Sequence, residues 1–93
     1  SDIMQEIKKK EQLFREHLKY PKIKEIRGKG LMLGIEFNSE KLVQKVVERS
    51  LENGLILFYF FFTKTAIRIT PPLTISEKDI IKGCNIIKEV LEQ

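Results

Sequence analysis

Ninety-three residues, 42% hydrophobic and 32% charged, make one soluble core and exclude a disordered chain or a second independent core. The net charge of +4 raises a nucleic-acid reading. The basic residues argue against it: the densest run, Lys8-Lys9-Lys10, is interleaved with Glu6, Glu11 and Glu16, as on a solvated helix face.

In chain order, Asp2 is placed to cap a first helix with Ile3, Ile7, Phe14 and Leu18 near one face, ending at Tyr20-Pro21. Ile23 to Arg27 and Leu31 to Phe37 read as two strands joined by a turn at Gly28-Lys29-Gly30. Leu31, Leu33, Ile35 and Phe37 alternate there with Met32, Gly34 and Glu36. Asn38 or Ser39 caps a second helix with a stripe of Leu42, Val43, Val46, Val47 and Leu51, closed by Asn53-Gly54. Leu55 to Phe62, aromatic and branched, reads as a buried strand, and Thr63-Lys64-Thr65 turns the chain. Ala66 to Thr70 forms a fourth strand, ended by Pro71-Pro72, with Ile67 and Ile69 on one face and Ala66, Arg68 and Thr70 on the other. Ser76, with Asp79 three residues on, opens a last helix with Ile80, Cys84, Ile87 and Leu91 inward.

The order α-β-β-α-β-β-α implies an α+β fold, a small, mainly antiparallel sheet covered by helices on one face. Residues 1–93 are expected to form a single domain. The run Phe58 to Phe62 puts aromatic rings on both sides of its strand, more than three helices on one face can cover, which points to a neighbouring domain or subunit. No apolar run approaches the roughly 20 residues of a membrane span. The N-terminus lacks signal-peptide anatomy and begins almost inside a helix, so the chain is expected to start at a cut within a longer protein.

Catalytic constellations are missing from the sequence. His17, the only histidine, stands among charges and reads as a surface side chain. The lone Cys84 lies at core spacing, which excludes an internal disulfide or a cysteine-based metal site and suits a reducing cytoplasm. Gly28-Lys29-Gly30 lacks the spacing and following helix of a phosphate loop. Arg68 is the residue of interest. Mid-strand and opposite the isoleucine face, it either meets solvent or a nearby carboxylate, or aims its planar fork at a carboxylate ligand, and spacing does not choose between these.

The string Ile26-Arg27-Gly28-Lys29-Gly30-Leu31-Met32-Leu33-Gly34-Ile35-Glu36 is similar to the strand-turn-strand that opens the small domain of class III aminotransferases. Ile67-Arg68-Ile69-Thr70-Pro71-Pro72-Leu73-Thr74-Ile75 resembles that family's arginine-containing stretch before its last helix. The helix ending at Asn53-Gly54-Leu55 and the capped helix after Ile75 also match, so the resemblance covers nearly the whole chain.

The resemblance, to acetylornithine, ornithine and 4-aminobutyrate aminotransferases, implies the C-terminal small domain of a fold-type I enzyme. The parent would be a homodimer whose large domain, outside this chain, binds pyridoxal 5′-phosphate through a lysine. It would move an amino group between an amine or amino acid and an oxo acid such as 2-oxoglutarate. By the same resemblance Arg68 is the substrate-binding candidate. No catalytic, cofactor-binding or metal residue is assigned, because the cofactor lysine and ring contacts have no counterpart here, and the piece alone is expected to be inactive. Nucleic-acid and membrane partners are not expected. The competing reading is a free-standing α+β regulatory or interaction module whose sheet binds a small acid or a partner protein. Binding of single-stranded nucleic acid is a weaker third reading, since the lysines do not gather near Tyr59.

Overall fold

A computed structural model describes residues 2–53 and 59–93, with the backbone alone for Tyr59–Phe62. Three helices and four strands follow in the expected order: α1 (Asp2–His17), β1 (Glu25–Lys29), β2 (Met32–Glu36), α2 (Glu40–Glu52), β3 (Tyr59–Phe62), β4 (Ala66–Thr70) and α3 (Glu77–Glu92). The strands form one antiparallel sheet in the order β1-β2-β4-β3, with Gly34 opposite Arg68 and Phe61 opposite Arg68 on its other side.

The period of two along each strand divides the sheet cleanly. Leu33, Ile35, Ile67 and Ile69 are buried, in one core with Phe14 and Leu18 at the end of α1, Val43 and Val46 of α2, and Ile80, Cys84, Ile87 and Leu91 of α3. The helices cover this side, α3 packing against both α1 and α2. Arg27, Met32 and Arg68 leave the opposite side and are exposed.

The N-caps of α2 and α3 rest on hydroxyls. Ser39, not Asn38, caps α2, its side chain accepting from the Leu42 N–H at 3.2 Å. Asn38 instead takes a left-handed φ of 60°, one that asparagine tolerates. Ser76 caps α3, accepting from the Asp79 N–H at 3.1 Å. Each such cap contributes about 1 kcal/mol.

Several sequence expectations need correction. Asp2 is not the cap of α1 but its first helical residue, where its charge meets the positive helix end. Ile3 was expected inward and is 66% exposed. Ile7 already lies beside Gly30 at the hairpin tip, so the turn of α1 before it runs past the sheet. Leu51 was placed on the buried stripe of α2, yet it is exposed and Ser50 is buried in its stead, because Val43, Val46 and Ser50 keep a single helical face.

The hairpin turn also shifts. Lys29 pairs with Met32, so Gly30 and Leu31 form the two-residue loop, and Gly28 lies within β1. A positive φ at Gly30 (65°) followed by an ordinary residue is the pattern of a type II′ turn, whose twist matches the flanking strands. Two parts of the reading, strand structure at 55–58 and the aromatic side chains of Phe58 to Phe62, lie outside the described residues.

Candidate functional site

The β1-β2 and β2-β4 registers put Arg27, Gly34 and Arg68 in one row across the sheet. Their side chains belong to the uncovered face, and the two arginines, separated by two strand spacings, stand roughly 10 Å apart at the backbone. Between them Gly34 presents no side chain. A Cβ built there meets only an Arg27 Nη2 at 4.0 Å, so the middle of the row is a trough. It widens into an open cleft of about 510 Å³ bounded by Arg27, Gly28, Met32, Gly34, Ala66 and Arg68.

The two guanidinium groups are not equivalent. Arg27 Nη1 lies 3.2 Å from a Glu25 carboxylate oxygen and 3.3 Å from one of Glu36. Glu25 and Glu36 are direct cross-strand partners whose like charges repel, and Arg27 bridges them. Hydrogen bonds from the Thr65 side chain and the Asn38 N–H, with further help from Arg27, hold the Glu36 carboxyl below the usual carboxylate range, so it is ionised at neutral pH. Arg27 is thus already neutralised. Arg68 is exposed, and among the described residues no carboxylate pairs with it. None of the described residues lining the cleft is acidic. The cleft therefore combines one uncommitted fork of donors, small neighbours and an apolar flank at Met32, which suits an anionic group carrying a short carbon chain.

Sequence reasoning found Arg68 but missed Arg27 as its row partner. The hairpin loop length would have placed Arg27 opposite Gly34, whereas the β2-β4 pairing joins residues thirty or more positions apart and has no local signal. The remaining sequence candidates carry no chemistry. His17 stands half-buried in the last turn of α1, and Cys84 is sealed in the core. Among the described residues no cluster of histidine, cysteine, aspartate or glutamate could hold a metal, and no helix is long and apolar enough to cross a membrane. A second hollow of about 550 Å³ lies between the end of α1 and β1, but Arg15 there is committed to Glu11 and to β1 carbonyls.

Comparison with known proteins adds independent findings. The sequence profile of the family Aminotransferase class-III matches residues 1–91. The chain is 35% identical over 89 residues to the acetylornithine aminotransferase of Haemophilus ducreyi, covering 95% of this chain and 22% of that protein. It is 38% identical over 74 residues to a diaminobutyrate–2-oxoglutarate transaminase of Halalkalibacterium halodurans, covering 78% of this chain and 17% of the relative. Among solved structures, the adenosylmethionine-8-amino-7-oxononanoate aminotransferase of Methanocaldococcus jannaschii superposes with a TM-score of 0.77 at 28% identity, over 98% of this chain and 24% of that one. The ornithine aminotransferase of Plasmodium yoelii gives 0.77 at 29% identity, over 98% and 25%. The chain thus matches about a sixth to a quarter of the length of these relatives.

Proposed function

Because the chain belongs to the class III aminotransferase family, we propose that residues 1–93 are the C-terminal small domain of a larger pyridoxal-phosphate-dependent enzyme, in which Arg68 binds a carboxylate of the amino or oxo acid substrate. The parent moves an amino group between an amine or amino acid and an oxo acid such as 2-oxoglutarate. A free-standing module is not favoured, since the family profile runs through the whole fold and the relatives are about four times longer.

The observation that carries the role of Arg68 is its position: exposed on the uncovered sheet face, over a trough made by Gly34, with no acidic residue lining the cleft. When bound, the cofactor supplies the electron sink and amino carrier. This chain's cleft does not fit the cofactor, since among the described residues no lysine lines it to anchor the pyridoxal carbonyl. The cofactor belongs to the large domain outside this chain. What these residues do is bind and orient the acid end of the substrate.

Exposed Ile3, Met4, Met32 and Leu73 support contact with that large domain or with a second subunit, and we place the parent as a homodimer. Scattered basic residues and the buried free thiol of Cys84 support a cytoplasmic enzyme with no nucleic-acid or membrane partner.

The test is Arg68→Ala in the enzyme that contains this chain. Losing a charge-assisted pair of hydrogen bonds raises KM for the dicarboxylate oxo acid roughly 10- to 100-fold and leaves the bound-cofactor spectrum unchanged. An unchanged KM removes the substrate role. The 93-residue chain mixed with pyridoxal 5′-phosphate and gel-filtered should retain no cofactor absorbance.

A further inference from the structure

We propose that Glu11 and Arg15 of α1 are positioning residues for the cleft, a hydrogen-bonded brace that fixes the wall carrying Arg27 opposite Arg68; this inference rests on reading the cleft as the site for the substrate's acid end.

The brace is made of four bonds. One Glu11 carboxylate oxygen accepts the Gly30 N–H at 2.6 Å, and the other accepts from Arg15 Nε at 3.0 Å. Arg15 then donates through Nη1 to the Ile26 carbonyl at 3.0 Å and through Nη2 to the Gly28 carbonyl at 2.7 Å. These two carbonyls flank Arg27 in the chain, and Gly30 opens the loop that follows. The helix therefore grips the edge strand on both sides of Arg27 and again at its turn.

β1 needs that grip. It is the edge of the sheet and, among the described residues, pairs with β2 alone, so alternate backbone groups have no described strand to bond. With Lys29 and Met32 closing the two-residue loop, Arg27 is in the bonded register with Gly34, and the carbonyls of Ile26 and Gly28 turn outward. Arg15 meets both with a fork of fixed geometry. A lysine at 15 offers one point of attachment and cannot span them. An isolated i,i+4 pair is weak on its own, so a pair that also holds three backbone groups of one hairpin has a larger geometric consequence than its own attraction. The Glu11 carboxyl agrees: burial raises it, but the Gly30 N–H, the Arg15 hydrogen bond and charge, and Lys29 outweigh this and hold it below its usual value.

In the parent enzyme, Arg15→Ala, Arg15→Lys and Glu11→Gln should each raise KM for the dicarboxylate oxo acid ~5-fold with kcat within about twofold of wild type. Backbone hydrogen exchange in the 93-residue chain should quicken at Gly30 in Glu11→Gln while the α3 amides stay protected. Arg15→Lys keeps charge and stem, so it separates lost position from lost folding should Arg15→Ala fail to fold. Arg68→Ala is measured alongside. If Arg68→Ala raises KM while the folded brace variants keep the wild-type value, the positioning role is overturned and the cleft reading stands. If Arg68→Ala leaves KM unchanged, the cleft reading falls and takes this inference with it. A KM that rises only in step with loss of folded protein also overturns it.

Discussion

Arg27 and Arg68 share one cross-strand row, separated by Gly34 alone. One is held between Glu25 and Glu36, and the other has no carboxylate partner among the described residues. The trough between them exists because the residue in its middle has no side chain. Gly34 has no positive φ that would demand glycine, and a Cβ added there meets nothing closer than 4.0 Å.

Gly34 thus separates binding from folding. Gly34→Ala should leave stability unchanged or raise it by roughly 0.5–1 kcal/mol, since glycine in a strand carries an entropic cost. Gly34→Val, a better strand former still, should fold equally well yet fill the trough and raise KM for the oxo acid roughly tenfold or more. Thermal melting and steady-state kinetics on the same preparations of the enzyme that contains this chain check both halves. A valine variant with unaltered KM would show that the substrate does not enter this row.

The other two hairpin glycines answer to different physics. Gly28 has φ 105°, and a Cβ there would sit 2.2 Å from the Met32 carbonyl oxygen, which is backbone and cannot yield without breaking the strand pairing. Gly30 has φ 65°, and among the described residues its Cβ would meet the Cγ2 methyl of Ile7, a side-chain rather than backbone atom, at 3.3 Å. Gly28→Ala is expected to destabilise the fold by about 3 kcal/mol. Gly30→Ala should cost about 1–2 kcal/mol, the penalty of a left-handed alanine. Urea midpoints give the ranking, and equal losses at the two positions would refute it.

These contrasts show what was legible in the sequence. Alternation from Leu31 to Phe37 fixed which residues of β2 face the core, because a one-residue slip would invert every side chain. The hydroxyl caps at Ser39 and Ser76 were readable because the signal is local. The Glu11–Arg15 brace was not, since its acceptors are main-chain carbonyls that every residue possesses. The exposure of Ile3 and Leu51 was equally hidden: periodicity names a face but not how far along a helix the neighbour extends. Arg68 could be placed on the open face by alternation alone, but the lack of an ion-pair partner for it among the described residues depends on a register that no short-range pattern encodes.

Ser50 occupies the one position where the buried face of α2 carries a polar atom without a partner among the described residues. Its hydroxyl is fully enclosed, so the fold bears the desolvation cost with no hydrogen bond in return. Ser50→Ala removes that cost and adds helix propensity, and should raise stability by about 1 kcal/mol. Ser50→Val should lower it, because a second methyl, beyond the one that takes the hydroxyl's place, must enter a packed interior. Chemical denaturation of both variants checks the sign, and a destabilised alanine variant would mean that the hydroxyl has a partner in solution.

Cys84 ties the core to pH. It is fully enclosed on α3 between Ile80 and Ile87, where burial pushes the thiol from 9.0 up to about 12, against a weaker opposite pull from Lys88. The thiolate is the nucleophile, so the native chain should resist iodoacetamide near neutral pH and be alkylated only at its rate of opening. The sign of the linkage follows from the raised value. The unfolded chain releases this proton above pH 9 while the folded chain retains it to about 12, so the contribution is complete below 9 and is lost as pH climbs through that interval. Cys84→Ala should cost about 1–2 kcal/mol near neutrality through the small cavity it leaves. Because alanine cannot ionise, the deficit should shrink in alkali; urea midpoints of both proteins at pH about 7 and about 10.5 measure it. Lysine and tyrosine titration is common to both chains and cancels in the difference. A deficit of constant size across that range would show that the thiol ionises as freely in the fold as in the open chain, contrary to its enclosure.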